Sequence, residues 1–547
     1  MMVSMFSTVL SASGSEQRQT TPDVLVYGST PAGIMAAVAA SRHGMHTAVL
    51  SQRKHVGGMC SGGLGHSDIG HCPDVIGGLA LEFFKRSASS YNRSQPNAPW
   101  NLEPHVAKRV FLAMLSEAGV IMLEPAQVQS VHMEGTSIQS ILTTAGVRLT
   151  ARIFVDASYE GDLMARTGRV TSTWGREARS EYNESRAGSQ GVGNVPYGGV
   201  WGDVDPFYAD GHLLPLLTPG LPTPAGSGDR LVQAYNFRLC VTNDSKLRVP
   251  FTRPQGYNAS RWEALRRFWH AWPESTSPHK AAQAEAPSAI LGEIPSSIPG
   301  ARKFDMNNCG YNPIHTDYVG GSAKYPNASY AERDRIWQAH VEYVQGYLWF
   351  MSTDTSVPNA TRAAFANVWG LCADEFVESD HFPPQLYVRE SRRMVGIEVF
   401  RQDDVGARPL GTRSIGMGCY NFDSHCVKRY ACTGHGCTEY SHPYAAWECG
   451  VNVPNPGRYQ MPVSLLLPKR AEATNLLVPV CSSASHVAYA TVRMEPQFMI
   501  AGHSAGVLAA IAVESARRTG TNALPVVQDV DDAELHAALL ADGQILA

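Results

Sequence analysis

Long apolar segments and one-sided charge are both missing from this sequence of 547 residues. No stretch reaches the roughly 18 uninterrupted apolar residues that a membrane-spanning helix requires, so we expect no membrane span. Lysine and arginine number 45 against 49 aspartates and glutamates, a net charge of −4, and neither sign is concentrated in a long run. Binding to a phosphate backbone needs such a concentration of cations. We therefore do not expect nucleic acid to be the main partner.

The eleven cysteines include no Cys-x-x-Cys pair. Five of them lie between Cys419 and Cys449, together with His425, His435 and His442, but the spacings match no familiar zinc site, and we expect no metal. A disulfide reductase is disfavoured because it needs a redox-active cysteine pair. If the chain is exported, one or two disulfides would make this stretch rigid, and otherwise these thiols are free.

The amino terminus and the glycosylation sequons leave the location of the protein open. Residues Met1 to Ser13 are mildly apolar and end in small residues, as a signal peptide does, but they lack its basic flank. Asn-x-Ser/Thr sequons are usable only in a secretory compartment. They begin at Asn92, Asn183, Asn243, Asn258, Asn327 and Asn359. A secretory or extracellular location and a cytoplasmic one both remain.

A βαβ unit is predicted directly after Pro22. The run Asp23–Tyr27 is typical of a buried strand, Gly28–Gly33 of a tight turn, and the alanine-rich stretch that follows of a helix to Arg42. Thr47–Leu50 is the next predicted strand. Two strands joined through a helix are parallel, which indicates an α/β fold.

Further elements are predicted along the chain, which is long enough for two or three domains. The predicted strands are Val120–Leu123, Val128–His132 and Ile153–Ala157, and the predicted helices are Glu103–Gly119, Arg261–Trp272, Tyr330–Thr353 and Pro496–Arg518. The stretch Gly188–Asp229 is rich in glycine and proline and has no clear period, so we interpret it as loops that lead into a second domain.

The first turn resembles a nucleotide-binding turn with one glycine missing. Gly28 permits a sharp turn and Gly33 permits close packing of the helix, but Thr30 replaces the middle glycine. Ser51 and Gln52 stand where an acidic residue usually binds a ribose. An ordinary βα turn fits equally well. Because Arg53 and Lys54 follow, an NADP site is a second alternative.

Two further features favour a flavin over nicotinamide. Gly57-Gly58-Met59 follows the second strand, where a glycine pair lets the chain pass close to adenosine and pyrophosphate. Near the carboxyl end, Arg493-Met-Glu-Pro-Gln497 opens a helix rich in small residues. The positive end of that helix would stabilise negative charge on a reduced flavin.

With these motifs in order, the chain resembles the FAD-dependent oxidoreductase family with the glutathione-reductase-like flavin fold, whose members include proteins labelled xanthan lyase-related. The resemblance runs from Asp23 almost to the end. Its segments are DVLVYGSTPAGIMAAVAA, HVGGMCSGGLGHSDIG, EPHVAKRVFLAMLSEAGV, IFVDASYEGDLMARTG, VQAYNFRLCVTNDSKLRVPF, PQLYVRESRRMVG, SIGMGCYNFDSH, SHVAYATVRMEPQFMIAGHSAG and VQDVDDAELHAALLADGQIL.

The resemblance implies an α/β protein with a Rossmann-like FAD-binding domain and an inserted α+β substrate domain. The implied ranges are 22–187 and 459–518 for the two parts of the FAD domain, 188–458 for the insertion and 519–547 for a tail helix. FAD is the implied cofactor. The implied cofactor-binding residues are Gly28, Ser29, Pro31, Ala32, Gly33, Ser51, Gln52, Gly57, Gly58, Met59, Val128, Asp156, Ala157, Glu495, Pro496 and Gly502.

Two departures from the family pattern stand out. The second strand ends in Ser51 where the family usually has glutamate, so the hydroxyl or Gln52 has to reach the ribose. Val480-Cys481 stands where the family tends to have glycine before a polar residue.

Four residues are candidates for the chemistry, because the flavin moves electrons and the protein has to manage a proton. His425 and His486 lie in the resembling segments and are the candidate proton carriers. Arg389 is a candidate clamp for a substrate carboxylate or for flavin charge, and Tyr489 a phenolic donor. Each also has a structural interpretation. The histidines would make buried hydrogen bonds, and Tyr489 would pack in the core. The arginines, Arg392 above all, would pair internally with glutamate.

The sequence thus predicts an FAD-dependent oxidoreductase, an oxidase or dehydrogenase, that transfers hydride between flavin and a small organic substrate of unknown identity. Three alternatives remain: a flavin-assisted lyase or isomerase without net redox change, an NADP-binding reductase, and a flavin-binding protein without turnover.

Overall fold

The computed structural model describes most of the chain from residue 21 onwards. The described ranges are 21–69, 72–91, 100–190, 200–201, 204–219, 223–271, 302–308, 314–406, 409–433, 442–454, 457–520 and 524–547. All statements below concern these residues.

The strands are short and come from the whole length of the chain. They are β1 (Val24–Tyr27), β2 (Thr47–Leu50), β3 (Ile121–Leu123), β4 (Val128–Glu134), β5 (Ser137–Thr143), β6 (Arg148–Leu149), β7 (Ile153–Asp156), β8 (Ser172–Thr173), β9 (Val200–Trp201), β10 (Leu239–Thr242), β11 (Arg248–Val249), β12 (Lys303–Met306), β13 (Gly370–Cys372), β14 (Arg393–Met394), β15 (Ser414–Gly418), β16 (Phe422–Asp423), β17 (Lys428–Cys432), β18 (Tyr444–Glu448), β19 (Asn452–Val453), β20 (Tyr459–Pro462) and β21 (Leu476–Leu477).

The α-helices range from one turn to 24 residues. They are α1 (Pro31–Arg42), α2 (Gly58–Ser61), α3 (Gly78–Ser89), α4 (Pro104–Glu117), α5 (Asp162–Arg166), α6 (Arg179–Tyr182), α7 (Glu263–Ala271), α8 (Tyr330–Thr353), α9 (Asn359–Ala363), α10 (His486–Val492), α11 (Glu495–Arg518) and α12 (Asp532–Ala541).

A five-stranded parallel sheet forms the centre of the first region, in the order β21-β7-β1-β2-β3. Every residue of β1, β2 and β7 is buried, as expected for apolar strands covered on both faces. The predicted α/β fold with a βαβ unit is confirmed. Because β21 pairs with β7, the sheet joins the amino-terminal part of the chain to a strand near its carboxyl end.

Helix α11 packs along α1 at backbone distance. A Cβ atom on Gly502 would lie 2.1 Å from the carbonyl oxygen of Ala32, and one on Gly506 would lie 2.3 Å from that of Ala36. Larger residues would therefore push the helices apart. Among the described residues α11 is the one helix that has the length and apolar composition of a membrane span, and it is mostly buried in the fold.

The second region contains a four-stranded antiparallel sheet, in the order β11-β13-β10-β12, and the long helix α8. Helix α8 has the predicted bounds, because Ser329 caps it by accepting a hydrogen bond from the amide of Glu332. The helix predicted at Arg261–Trp272 is observed as α7, preceded by a 3₁₀ turn at Ala259–Trp262. Its last predicted residue, Trp272, lies outside the described residues.

Three disulfides have both cysteines among the described residues, namely Cys72–Cys419, Cys240–Cys372 and Cys426–Cys449. The stretch from Cys419 to Cys449, in which we expect one or two disulfides if the chain is exported, contributes Cys419, Cys426 and Cys449. Cys432 is also disulfide-bonded. Cys60 and Cys481 are buried free thiols.

The sequon asparagines in the described residues are all exposed. They are Asn183, Asn243, Asn258, Asn327 and Asn359, whereas Asn92 lies outside the described residues. Their exposure permits glycosylation, which stays a prediction.

Candidate cofactor and substrate site

The turn between β1 and α1 requires glycine at both of its ends. Gly28 has φ +106°, and a Cβ on it would lie 2.8 Å from the backbone of Ala157. A Cβ on Gly33 would lie 2.0 Å from the carbonyl oxygen of Gly28. Side chains are therefore excluded at both positions, as a turn that closes around a pyrophosphate demands.

Thr30 replaces the middle glycine without obstructing the turn. Its side chain caps α1 by accepting the amide hydrogen of Gly33 at 3.2 Å, and it donates to the carbonyl oxygen of Ala157 at 2.7 Å. Pro31 occupies the first helical position and has no amide hydrogen. The threonine side chain is thus directed into the fold, and the amide of Ala32 remains among the first-turn donors that a helix cannot satisfy itself.

The glycine pair lies beside this turn. Gly57 and Gly58 have φ +99° and +48°, and the amide of Gly57 donates to the carbonyl oxygen of Ser29 at 2.8 Å. A Cβ on Gly58 would lie 2.8 Å from Cδ of Pro31. The structure therefore brings the start of α2 against the start of α1.

Tyr159 connects the glycine pair to the start of α11. Its hydroxyl accepts the amide hydrogen of Met59 at 3.0 Å and donates to Oε1 of Glu495 at 2.5 Å. Burial raises the pKa of Tyr159 well above its ordinary value, so the hydroxyl keeps its proton. Met59 and Glu495, both predicted cofactor residues, are thus joined by a tyrosine that the sequence did not single out.

The end of β2 contains a buried hydroxyl with no hydrogen-bond partner among the described residues, Oγ of Ser51. The side chain of Gln52 instead donates to Asp162 at 3.3 Å. Because a buried polar atom without a partner is costly, Ser51 is suited to a ligand hydroxyl. Of the two predicted ribose contacts, Ser51 therefore fits better.

Arg53, the first cation of the NADP alternative, is paired within the protein. It bonds to Asp334 of α8 at 2.5 Å and lies 4.5 Å from the ring centroid of Trp337. This pairing does not favour a 2′-phosphate at the position.

Val128 and Asp156 already have partners in the fold. The carbonyl oxygen of Val128 accepts a hydrogen bond from Tyr330 at 2.9 Å, and its amide donates to Tyr27 at 3.4 Å. Asp156 accepts from Ser158 and from the amide of Met164, and burial raises its pKa to about 6. Asp156 therefore shapes the turn after β7, and its neighbour Ala157 packs under Gly28.

The dinucleotide fit rests on three observations: glycine turns that a Cβ would fill, an unpartnered Ser51 hydroxyl, and a long helix that begins beside both turns. Pro496 follows Glu495 in that helix, and Gly502 contacts α1. These residues fit FAD.

A second group of side chains surrounds Tyr387. The hydroxyl of Tyr387 lies 3.3 Å from Nη1 of Arg493, and the guanidinium of Arg389 lies 4.9 Å from the centroid of its ring. Arg493 is paired with Asp423 at 3.2 Å. Arg493 precedes Glu495 by two residues, so this group lies next to the start of α11.

His425 also belongs to this group. Its Nδ1 lies 2.9 Å from Oδ2 of Asp317, its Nε2 lies 3.8 Å from Asp423, and Arg389 contacts the other oxygen of Asp317 at 2.9 Å. Burial opposes ionisation of Asp317, but Arg389 and His425 outweigh it and hold its pKa well below the ordinary value. The "Tyr387 cluster" below denotes Tyr387, Arg389, Arg493, Asp317, Asp423 and His425.

His486 and Tyr489 lie deeper, on α10. Nε2 of His486 is 3.4 Å from Oε2 of the buried Glu390, and the hydroxyl of Tyr489 donates to the carbonyl oxygen of Val480 at 3.2 Å. Burial would raise the pKa of Glu390, but His486 and Arg393 lower it to about 2. These contacts favour a structural reading for both candidates.

Gln233 connects the two histidines. Its amide donates to Glu390 at 2.7 Å, and its side-chain oxygen accepts the amide hydrogen of His425 at 2.9 Å. His486 is thus linked to the Tyr387 cluster through Glu390 without belonging to it.

The profile of the FAD dependent oxidoreductase family matches residues 23–539. The chain belongs to this family. It is therefore an FAD-dependent oxidoreductase, and FAD is its cofactor. The match covers the glycine turns, the Tyr387 cluster and α11.

Solved structures are similar over part of the chain. THI4 from Thermovibrio ammonificans is 14% identical over 32% of this chain and 67% of its own, with a TM-score of 0.23. L-proline dehydrogenase from P. horikoshii is 14% identical over 29% and 58%, with a TM-score of 0.23. Thioredoxin reductase from Streptococcus pyogenes is 18% identical over 25% and 34%, with a TM-score of 0.17. This oxidoreductase thus spans between a third and two thirds of their lengths.

The arginines of the segment around Arg389 are all paired. Arg389 bonds to Asp317, Arg392 to Asp162 at 3.0 Å, and Arg393 to Glu177 at 2.5 Å. Internal pairing of Arg392 is confirmed, although its partner is an aspartate that the sequence did not suggest.

Among the described residues, Glu103, His105 and Glu375 form a group whose metal-ligand atoms lie within 4.8 Å of one another. The ammonium of Lys303 already bonds to both glutamates, 3.3 Å from Glu375 in one case. The lysine therefore supplies the cation here.

Tyr159, Asp317, Tyr387 and Asp423 are candidate site residues that the sequence analysis missed. Tyr159 stands two residues after the predicted Ala157, and Asp423 lies in the same segment as His425, so proximity to recognised motifs was a usable signal for both. Asp317 lies in no recognised motif.

Proposed function

We propose that this oxidoreductase transfers hydride between FAD and a small polar organic substrate held at the Tyr387 cluster, with His425 as the proton carrier. The observation that supports this most is continuity in the chain: Arg493 belongs to the cluster, and two residues later Glu495 opens the helix beside both glycine turns. Cofactor and substrate residues therefore meet at one point.

The proposal includes the predicted division of the chain. Residues 22–187 and 459–518 would form the FAD-binding domain, 188–458 the substrate domain and 519–547 a tail that contains α12. The pairing of β21 with β7 supports a flavin domain of two parts. The separate antiparallel sheet of β10 to β13 supports an inserted domain.

FAD would be held by residues of several elements. Gly28, Ser29, Ala32 and Gly33 line the phosphate turn, with Pro31 fixing the start of the helix. Gly57 and Gly58 line the facing turn. Ser51 meets the ribose, and the start of α11 faces the ring system. FAD bound there accepts or gives hydride.

His425 is suited to hold and move the substrate proton. Asp317 accepts from Nδ1, which sets the tautomer and leaves Nε2 as the base. The His425 side chain is 14% exposed, whereas that of His486 is 4% exposed and faces Glu390. His425 is therefore the better candidate of the two.

The charges of the cluster favour a polar substrate over a strongly anionic one. Arg389 is balanced by Asp317, and Arg493 by Asp423. A substrate carboxylate would have to compete with these aspartates. Hydroxyl and carbonyl groups would find donors and acceptors without displacing them.

The test is an anaerobic screen of small polar alcohols and amines, read by loss of the flavin absorbance at about neutral pH. A compound that bleaches the flavin in wild type and does so slowly in His425→Gln supports the proposal. Turnover of a compound with no bleaching and no electron acceptor would overturn it in favour of a lyase or isomerase.

A further inference from the structure

Glu495 is a buried carboxyl group with one oxygen bonded and one unused. The residue is 3% exposed and opens the 24-residue helix α11. Oε1 accepts a hydrogen bond from the hydroxyl of Tyr159 at 2.5 Å, whereas Oε2 is buried and has no hydrogen-bond partner among the described residues. Two residues further on, Oε1 of the buried Gln497 also lacks one. Polar atoms of this kind at a helix end indicate a ligand position.

No cation in the described part of the chain forms an ion pair with Glu495. The titratable groups that face it are Tyr159 after β7, the buried thiol of Cys60 on α2, and Asp68 in the segment after α2. Arg493, the nearest cation along the chain, is directed to Asp423 and Tyr387. Nothing there compensates a negative charge except the helix end, a small effect beside the desolvation of a carboxylate.

Burial raises the pKa of Glu495 to about 8; the hydrogen bond from Tyr159 opposes this, and Asp68 adds to it. The protonated acid is therefore the main form at neutral pH. Because Oε1 accepts the hydrogen bond from the tyrosine hydroxyl, the proton of the acid is placed on Oε2, the oxygen without a partner.

We propose that Glu495 binds FAD as a neutral acid, donating a hydrogen bond from Oε2 to an acceptor atom of the cofactor, and that Tyr159 is the residue that positions it. This inference rests on the proposed function, because it requires FAD at the start of α11. An ionised Glu495 has no proton to donate and carries a charge of the same sign as the pyrophosphate. FAD affinity therefore falls when the acid ionises.

The experiment is a titration of the apoprotein with FAD, followed by flavin fluorescence between about pH 6 and pH 9. In wild type, the Kd is constant at the acid end of this range and then rises with pH. The rise approaches about tenfold per pH unit. Glu495→Gln keeps a donor at every pH, so its Kd stays flat. The exposed Glu134→Gln is the control and follows wild type.

Tyr159→Phe gives a second readout that a packing role would not produce. The tyrosine hydroxyl stabilises the ionised carboxylate, so its loss moves the onset of weakening to higher pH. Equal pH profiles in wild type and Glu495→Gln, or an unshifted onset in Tyr159→Phe, would overturn the inference while leaving FAD binding intact. Absence of FAD binding in wild type at every pH would overturn the proposed function and this inference together.

Discussion

The hydroxyl of Tyr159 lies 2.5 Å from Oε1 of the Glu495 carboxyl group, which stands 336 residues later in the chain. The same hydroxyl accepts the amide hydrogen of Met59. One tyrosine therefore joins the turn after β7, the glycine pair and the start of α11. Together with the turn from Gly28 to Gly33, these segments make up the proposed flavin site, so we expect cofactor binding to depend on segments from both ends of the sequence.

Glu495→Gln is expected to stabilise the apoprotein by an amount that grows with pH. The pKa of Glu495 is about 8 in the folded protein, above its value of about 4.3 in the unfolded chain. The folded state thus binds the extra proton between these values, and wild type loses stability as pH rises through that window by up to about 1.4 kcal/mol per unit. Gln cannot ionise and loses none.

Urea unfolding of both apoproteins at about pH 5 and about pH 8 measures this difference, with the exposed Glu134→Gln as control. A stability difference that is the same at both pH values would show that the folded protein holds Glu495 ionised.

His425→Gln is expected to retain FAD and to slow anaerobic flavin reduction by roughly 10²- to 10⁴-fold, because a positioned base is lost. Stopped-flow absorbance with a substrate from the screen measures reduction apart from reoxidation. The control is His212→Gln, an exposed histidine that pairs with Asp210. Reduction within a few-fold of wild type would remove His425 from the mechanism.

Alkylation of the denatured but unreduced protein is expected to leave at least seven of the eleven cysteines unlabelled, since three disulfides are formed and Cys432 is also disulfide-bonded. Cys60 and Cys481 should react only after unfolding, because both are buried. Peptide mass mapping checks the pairs. Labelling of all eleven in protein from its native source would instead indicate a reducing compartment.

Arg53→Ala is expected to leave FAD content unchanged and to cost about 1 kcal/mol or less, because its ion pair with Asp334 is exposed. NADP should give no thermal stabilisation in either protein. A clear shift with NADP that the substitution abolishes would revive the nicotinamide alternative at this position.

The local parts of the fold were predictable from the sequence. The strand Thr47–Leu50 and the helix Tyr330–Thr353 have the predicted bounds, because apolar periodicity and capping act over a few residues. Gly28 and Gly33 were also predictable, since Gly28 adopts a positive φ and Gly33 has no room for a Cβ atom.

The meeting of the residues of the Tyr387 cluster was not predictable, because it arises from long-range packing. Asp317 lies 108 residues from His425, and no local pattern indicates that the two make contact. The disulfide Cys72–Cys419 joins residues 347 positions apart and could not be predicted for the same reason. The hydrogen bond from Thr30 to the carbonyl oxygen of Ala157 also depends on a contact that forms only in the folded sheet.

The most direct test of the central claim, that FAD binds at the turn from Gly28 to Gly33, is an FAD titration of wild type and Gly33→Val. A valine Cβ would lie 2.0 Å from the carbonyl oxygen of Gly28, whereas Gly44, at the other end of α1, has open space, so Gly44→Asn is the matched control. We predict one FAD per chain in wild type and Gly44→Asn and little or none in Gly33→Val, with circular dichroism confirming that all three are folded. A folded Gly33→Val protein that binds FAD as wild type does would contradict the account.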